Sequence, residues 1–224
     1  HSVTAALRHA EKLLKDGAHI LDIGGESTRP GSPAVPLEEE MRRVLPFVQA
    51  AVQFGVPISV DTYKAQVMQA VLDAGADIIN DVWALRQPGA QSVVASHPQC
   101  GVVLMHMHKT PQDMQQTPMQ GDAVAQVQNF LAQQTQALLA LGVERQRIVW
   151  DYGIGFGKTV AQNFALLAQQ AALTRQGFAL LAGWSRKSSL GQVTNLSVEE
   201  RMVPSVAAAV LAVERGARIV RVHD

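Results

Sequence analysis

The sequence has one cysteine, no net charge and no long apolar run. Each absence removes a class of protein. A single thiol, Cys100, cannot close an intramolecular disulfide, which fits a reducing compartment. Cys100 lies in S-H-P-Q-C-G, just before an apolar run, and reads as a buried or loop thiol rather than a nucleophile. Nineteen Lys and Arg balance nineteen Asp and Glu. No overall field therefore draws in nucleic acid or an anionic membrane, although a local cationic pocket stays open as a reading. No stretch of about eighteen apolar residues exists to span a bilayer, and no secretory signal is recognisable. Neither nucleic acid nor membrane is expected as a partner, and a cytoplasmic location is expected. The first residue is His1 rather than Met, so a longer natural chain is expected. Apolar content of 47% against 17% charged is an ordinary globular balance. The 224 residues suffice for one sizeable α/β domain, residues 1–224, with its own core.

A phosphate-cradling loop is also lacking. Trp150–Thr159, W-D-Y-G-I-G-F-G-K-T, looks like G-x-x-x-x-G-K-[ST]. Counting back from Gly157-Lys158-Thr159 puts the first glycine at position 152, which is Tyr152. Gly153 is one place late, and glycines at every second position suit a loose turn better than a tight anion nest.

What is present is a repeated unit. Seven short apolar, β-rich runs recur: His19–Gly24, Pro57–Asp61, Asp77–Val82, Val102–Met107, Arg147–Asp151, Ala179–Trp184 and Arg218–His223. Helical segments lie between them. Val3, Leu7, Ala10 and Leu14 share one helix face, and Gly17 follows as a C-terminal cap. Leu37–Val52 and Ala123–Leu141 are further helices. Gly-Ala dipeptides at 17, 75 and 216 each join a helix end to a strand start. Strands alternating with helices predict a parallel sheet. Polar residues collect at nearly every strand end: Asp22, Asp61, Asn80, His106, Asp151, Ser185 with Lys187, and Arg221 with His223. That distribution favours a (β/α)₈ TIM barrel, whose strand ends share one site, over a doubly wound sheet with a single switch point. The chain opens on a helix and closes on a strand, so strand 1 and the C-terminal helix are expected to be absent from it. Two open edges and weak stability would follow.

Asp61, Asn80 and Asp151 end three different strands, so a barrel aims them at one centre. Two carboxylates and an amide make a hydrogen-bonding wall suited to a flat heterocycle with an N–H-rich edge. The alternative is three separately satisfied turn residues. Ser185 and Lys187 share a face in extended chain, and an inward lysine is a candidate ligand group. Arg221 and His223 are also two apart and can form an anion pocket. Gly24–Gly31 is a polar loop in which Thr28 and Arg29 could reach over the mouth as a lid. Met105-His106-Met107-His108 contains H-x-H, but two histidines without a third ligand make a weak metal signal. Met105 fits better as packing against a ligand ring, with the histidines structural.

These motifs occur together and in order: I-L-D-I-G-G-E-S-T-R-P-G-S, S-V-D-T, I-I-N-D-V, L-M-H-M-H, G-I-G-F-G-K, S-R-K-S and R-V-H-D. Their combination closely resembles the dihydropteroate synthase family of bacterial folate biosynthesis, over essentially the whole chain. The resemblance implies a (β/α)₈ barrel, usually dimeric. It implies condensation of p-aminobenzoate with 6-hydroxymethyl-7,8-dihydropterin diphosphate to 7,8-dihydropteroate and diphosphate, by dissociative displacement. Asp61, Asn80, Asp151 and Lys187 would hold the pterin, with Val82 and Met105 in its pocket wall. Arg221 would stack on the pterin and, with His223, hold the diphosphate. Thr28 and Arg29 would belong to a mobile loop. Pro30, Phe156 and Ser188 would lie near p-aminobenzoate, which sulfonamides mimic in this family. Phe156 and Lys158 would be placed over the mouth by the glycine loop. Magnesium is the implied cofactor, but the Asn expected near it belongs to the first-strand segment. One departure stands out: the family's Asp-Pro-Gly is Asp151-Tyr152-Gly153 here. The nearest alternatives are a pterin-dependent methyltransferase, which needs no diphosphate pocket or S-R-K-S, and a non-catalytic pterin-binding paralogue or fragment.

Overall fold

The repeated helix–strand pattern is realised as one seven-stranded sheet, with every strand parallel to its neighbours and the strands lying in chain order. The computed structural model describes residues 3–29, 31–110, 113–114 and 117–224. In chain order the elements are α1 (Val3–Lys15), β1 (Leu21–Gly24), α2 (Leu37–Ala51), β2 (Ile58–Asp61), α3 (Ala65–Asp73), β3 (Ile78–Asp81), α4 (Ala90–Ser96) and β4 (Gly101–Met105). They continue with α5 (Ala123–Ala140), β5 (Ile148–Asp151), α6 (Val160–Ala168), α7 (Gln170–Thr174), β6 (Ala179–Ala182), α8 (Ser188–Thr194), α9 (Met202–Glu214) and β7 (Ile219–Val220). All seven expected strands are present and all are shorter than expected: β1, β2 and β5 start later than the apolar runs, β4 and β6 stop earlier, and β3 and β7 do both. The shortest, β7, has one neighbour, although Arg221 N–H still donates to the Ala182 carbonyl at 3.1 Å.

Each step advances one strand in the same sense, and strand twist accumulates in one hand, so the sheet curls. The curl brings its two edges together. Arg221, just past β7, reaches Asp22 on β1 at 2.6 Å across 199 residues of sequence.

The Gly-Ala joints have one physical cause. Gly17, Gly75 and Gly216 have φ of +106°, +101° and +97°, a region open to glycine at little cost. At each, the glycine N–H and the following alanine N–H bond back to the last helical carbonyls, as in Ala18 to Leu13, Ala76 to Val71 and Ala217 to Ala212. This helix stop satisfies orphan carbonyls and turns the chain toward the sheet. Gly142 with Val143 closes α5 the same way.

The main core joins the sheet to the surrounding helices through fully buried residues such as Val60, Ile79, Val102, Leu104 and Trp150. Cys100 is buried in it. A smaller cluster of Val82, Met105, Met107, Met114 and Phe156, backed by Tyr63 and Trp83, stands apart from it near the C-terminal ends of β3 and β4. Exposed apolar side chains concentrate on α9, where Val203, Val206, Val210 and Val213 are all more than half exposed. Among the described residues no helix is long and apolar enough to cross a membrane.

Candidate active site

Parallel strands in chain order put all their C-terminal ends on one rim, and the residues there share one cleft. Asp61, Asn80, Val82, Met105, Asp151, Lys187 and Arg221 line it, together with Gly153, Ile154, Phe156 and Gly183. The cleft encloses about 340 Å³ with its open mouth included. Asp61, Met105 and Asp151 are the last residues of β2, β4 and β5, and Asn80 is the penultimate residue of β3. Register carries the alignment across the sheet, with Asp61 beside Asn80 and Met105 beside Asp151.

The carboxylates sit in an enclosed, charged setting. Burial pushes Asp61 up to about 7; the Arg221 guanidinium opposes this, while Asp22, Asp81 and Glu40 add to it. Asp151 is also raised by burial, opposed by the Gly153 N–H, which donates to Oδ1 at 2.7 Å, and then by Lys187, Arg221 and Lys158. Arg221 donates from Nε to Asp22 Oδ2 at 2.6 Å and from Nη2 to Asp61 Oδ2 at 3.2 Å. Asn80 Nδ2 donates to the same Asp22 oxygen at 3.3 Å. Asp22 is therefore the hub of the rim. The sequence placed it at a strand end, whereas it is the second residue of β1, and its link to Arg221 depends on the curl.

Lys187 is aimed by the turn before α8. Arg186 has φ +57°, unusual for a residue with a Cβ. Its N–H donates to Ser205 Oγ at 2.9 Å, and its carbonyl accepts from Arg201 Nη1 at 3.1 Å. These bonds from α9 and its approach hold the strained residue in place. Lys187 Nζ stands 4.3 Å from the centre of the Phe156 ring. Burial lowers it to about 8, with Asp151 opposing.

The glycine loop corrects one expectation. Phe156 lines the cleft, but Lys158 does not stand over the mouth. It is 3% exposed, and its Nζ donates to the carbonyls of Gly153 at 2.8 Å and of His106 and Phe156 at 3.2 Å. The cause is the start of α6: Thr159 and Gln162 form a reciprocal capping box, so the chain enters the helix immediately after Lys158. Tyr152 has polar partners of its own. It is fully buried, donates to Gln170 Oε1 at 2.9 Å and accepts from Trp184 Nε1 at 3.2 Å.

A second cavity lies behind the loop, lined by Lys158, Thr159, Asn163, Ser188 and Ser189 among others. Ser188 thus faces a different cavity from Phe156. Thr28 and Arg29 line neither cavity; Arg29 is exposed, and Pro30 lies outside the described residues. His223 is exposed beside Ser185, with Nδ1 3.0 Å from its Oγ. His106 is buried edge-on against Phe130 and is held neutral, pushed down to about 2 by burial and by Lys158, Arg86 and His108. Gly153, Ile154 and Gly183 also enter the lining; two glycines and an isoleucine carry no chemical signature in a sequence. Among the described residues no three His, Cys, Asp or Glu side chains converge on a metal position. Asp22 and Asp61 are both engaged by Arg221. The residues present do not by themselves make a magnesium site.

A curled parallel sheet whose strand ends gather acids, an amide, a lysine and an arginine around one apolar-walled cleft is the arrangement of a pterin-binding enzyme. The chain belongs to that family: the pterin binding enzyme model matches residues 1–223. Its relatives are specific. Dihydropteroate synthase of Haemophilus influenzae is 42% identical over 226 residues, covering 100% of this chain and 81% of that protein. The crystal structure of Burkholderia cenocepacia dihydropteroate synthase complexed with 7,8-dihydropteroate is 51% identical with a TM-score of 0.92, covering 100% of this chain and 82% of that one. The Yersinia pestis dihydropteroate synthase in a sulfonamide drug complex is 42% identical with a TM-score of 0.97, covering 100% and 82%.

Proposed function

We propose that this chain catalyses dihydropteroate synthesis, joining p-aminobenzoate to 6-hydroxymethyl-7,8-dihydropterin diphosphate. The observation that carries the reading is the single cleft holding Asp61, Asn80, Asp151, Lys187 and Arg221, set beside the 51% identical relative crystallised with 7,8-dihydropteroate. Asp61 and Asp151 accept from the amidine-like edge of the pterin, and Asn80 both donates and accepts. Val82 and Met105 pack on the ring. Lys187 donates to it. Arg221 faces the ring, and two of its five N–H donors are already taken by Asp22 and Asp61, leaving others for an anion. His223 joins Arg221 at the diphosphate. Thr28 and Arg29 close over the mouth, Phe156 flanks the p-aminobenzoate from the cleft, and Ser188 approaches it from the second cavity. A sulfonamide would compete there.

The chemistry follows from the charges. The bond from the pterin methylene carbon to the diphosphate oxygen breaks, and its electron pair leaves with diphosphate. The amine nitrogen of p-aminobenzoate forms the new carbon–nitrogen bond and then loses a proton. An aromatic amine is already neutral and nucleophilic at pH 7, so no strong base is required. Buried carboxylates stabilise positive charge developing on the pterin, and Arg221 stabilises the departing anion.

The 224 residues act as one pterin-binding domain in this reading. Their sheet forms most of a (β/α)₈ barrel, supported by the uncrossed strand order and the Arg221–Asp22 tie between its edges. A cytoplasmic homodimer is part of the same proposal, the exposed valines of α9 being the surface that supports it.

The test is product formation from both substrates with magnesium, read by mass. Dihydropteroate that disappears in Lys187→Ala supports the proposal. Pterin binding without product would favour a non-catalytic protein, and methyl transfer from a methylated pterin would favour a methyltransferase.

A further inference from the structure

Lys158 is a buried cation that the proposed mechanism leaves without a task. Among the described residues no carboxylate pairs with it, and its ammonium is solvated by three carbonyls alone. Those carbonyls come from two places. His106 follows β4, whereas Gly153 and Phe156 bound the turn after β5, itself closed by Phe156 N–H to the Gly153 carbonyl at 3.1 Å. An ammonium without a counter-charge is costly to bury; burial draws Lys158 down to about 7, with Asp151 pulling it back. A methionine would fill the same space without that cost, but would remove the one donor the three carbonyls share, leaving Gly153 and Phe156 only the N–H groups of Phe156 and His108. The cation therefore serves the backbone path more than the packing.

That path is a partition. Gly153, Ile154 and Phe156 face the cleft, while Gly155 and Lys158 face the second cavity. Phe156 ends with its ring 4.3 Å from Lys187 Nζ, a separation at which ring and cation attract. Gly155 packs against the stem of the same lysine, where an added Cβ would stand 3.3 Å from Cδ.

We propose that Lys158 is a positioning residue for the arylamine side of the site, gathering three carbonyls so that the Gly153–Gly157 turn holds Phe156 against Lys187. The inference rests on the function proposed above, so wild-type product formation is measured first and its absence counts against that reading alone. With product in hand, Lys158→Met is expected to raise KM for p-aminobenzoate about tenfold or more, through sub-ångström to ångström misplacement of Phe156. The KM for the pterin substrate should rise less than that for p-aminobenzoate, because Asp61, Asn80 and Arg221 lie on or beside other strands and only Asp151 is tied to this turn, through the Gly153 N–H. Lys158→Gln keeps two N–H donors and should fall between wild type and Lys158→Met. In a Phe156→Ala background, Lys158→Met should add less than about twofold, since both changes act through one ring. A purely structural lysine gives a different pattern: melting temperature falls while both KM values and kcat per folded molecule stay at wild-type values. That pattern, full additivity with Phe156→Ala, or failure of both Lys158 variants to fold would each overturn the proposal.

Discussion

Gly153→Ala tests whether the turn after β5 is built around a contact between two backbones. Gly153 has φ +64°, and a Cβ added there would stand 2.0 Å from the His106 carbonyl oxygen and 3.3 Å from Met105 Cγ. Carbon–oxygen contacts normally begin near about 3.3 Å, so the two segments must part by about 1 Å. The left-handed conformation itself costs an L-residue about 1–2 kcal/mol. Parting also strains the 2.7 Å bond from Gly153 N–H to Asp151 and the Lys158 bond to His106. Losing one hydrogen bond to a charged group adds about 1.5–3 kcal/mol. The sum, about 3–5 kcal/mol, is a large share of the roughly 5–15 kcal/mol that holds a domain together. Asp151 moves with its donor, and a misplacement of about 1 Å costs about a hundredfold in rate. Urea unfolding reads the first quantity, and kcat/KM for the pterin substrate, at a temperature where the variant is folded, reads the second. Gly155→Ala is the control. Its φ is +83°, but the nearest atom is the flexible Lys187 Cδ at 3.3 Å, so it carries the conformational cost without the backbone collision. If Gly153→Ala proves no worse than Gly155→Ala in both assays, the reasoning fails.

Three further outcomes follow from the same geometry. Tyr152→Phe leaves Gln170 Oε1 and Trp184 Nε1 without their buried partner and should destabilise by about 1–3 kcal/mol in a denaturant melt, with kcat/KM near wild type because the hydroxyl does not reach the cleft. Lys187 is a cation below about pH 8 and neutral above it, so kcat/KM should fall as pH rises through that value. Lys187→Arg stays charged and should remove that limb at lower overall activity; an unchanged limb would assign it to another group. Lys64 Nζ bridges Glu26 and Glu40, and Glu40 is 1% exposed. Lys64→Met should therefore cost about 3 kcal/mol by leaving a buried carboxylate with only Thr62 as donor, and chemical unfolding checks it.

The residues legible in the sequence and those that were not differ in what places them. Asp61, Asn80, Met105, Asp151 and Arg221 sit at or beside strand ends, and a parallel sheet in chain order collects strand ends by construction. Apolar runs bounded by polar residues were therefore enough to find the four polar ones, whereas Met105 was placed by its fit against a ligand ring. Asp22 was visible as a polar residue in the first apolar run, but it lies within β1 rather than at its end, and its bond to Arg221 closes across 199 residues and depends on accumulated twist, to which no local pattern is sensitive. Lys158 is placed differently again. Its partners are carbonyls of His106, Gly153 and Phe156, and every residue has a carbonyl, so no side-chain spacing announces them. One local signal was available: Thr159-x-x-Gln162 is a capping-box spacing, and a helix beginning there leaves the preceding lysine little freedom to reach the rim. Strand period thus locates groups that line the cleft, whereas turn geometry locates the groups that hold those in place. Substitutions in the Gly153–Lys158 turn separate the two kinds of residue, because they move Asp151 and Phe156 without altering any side chain that period alone would have found.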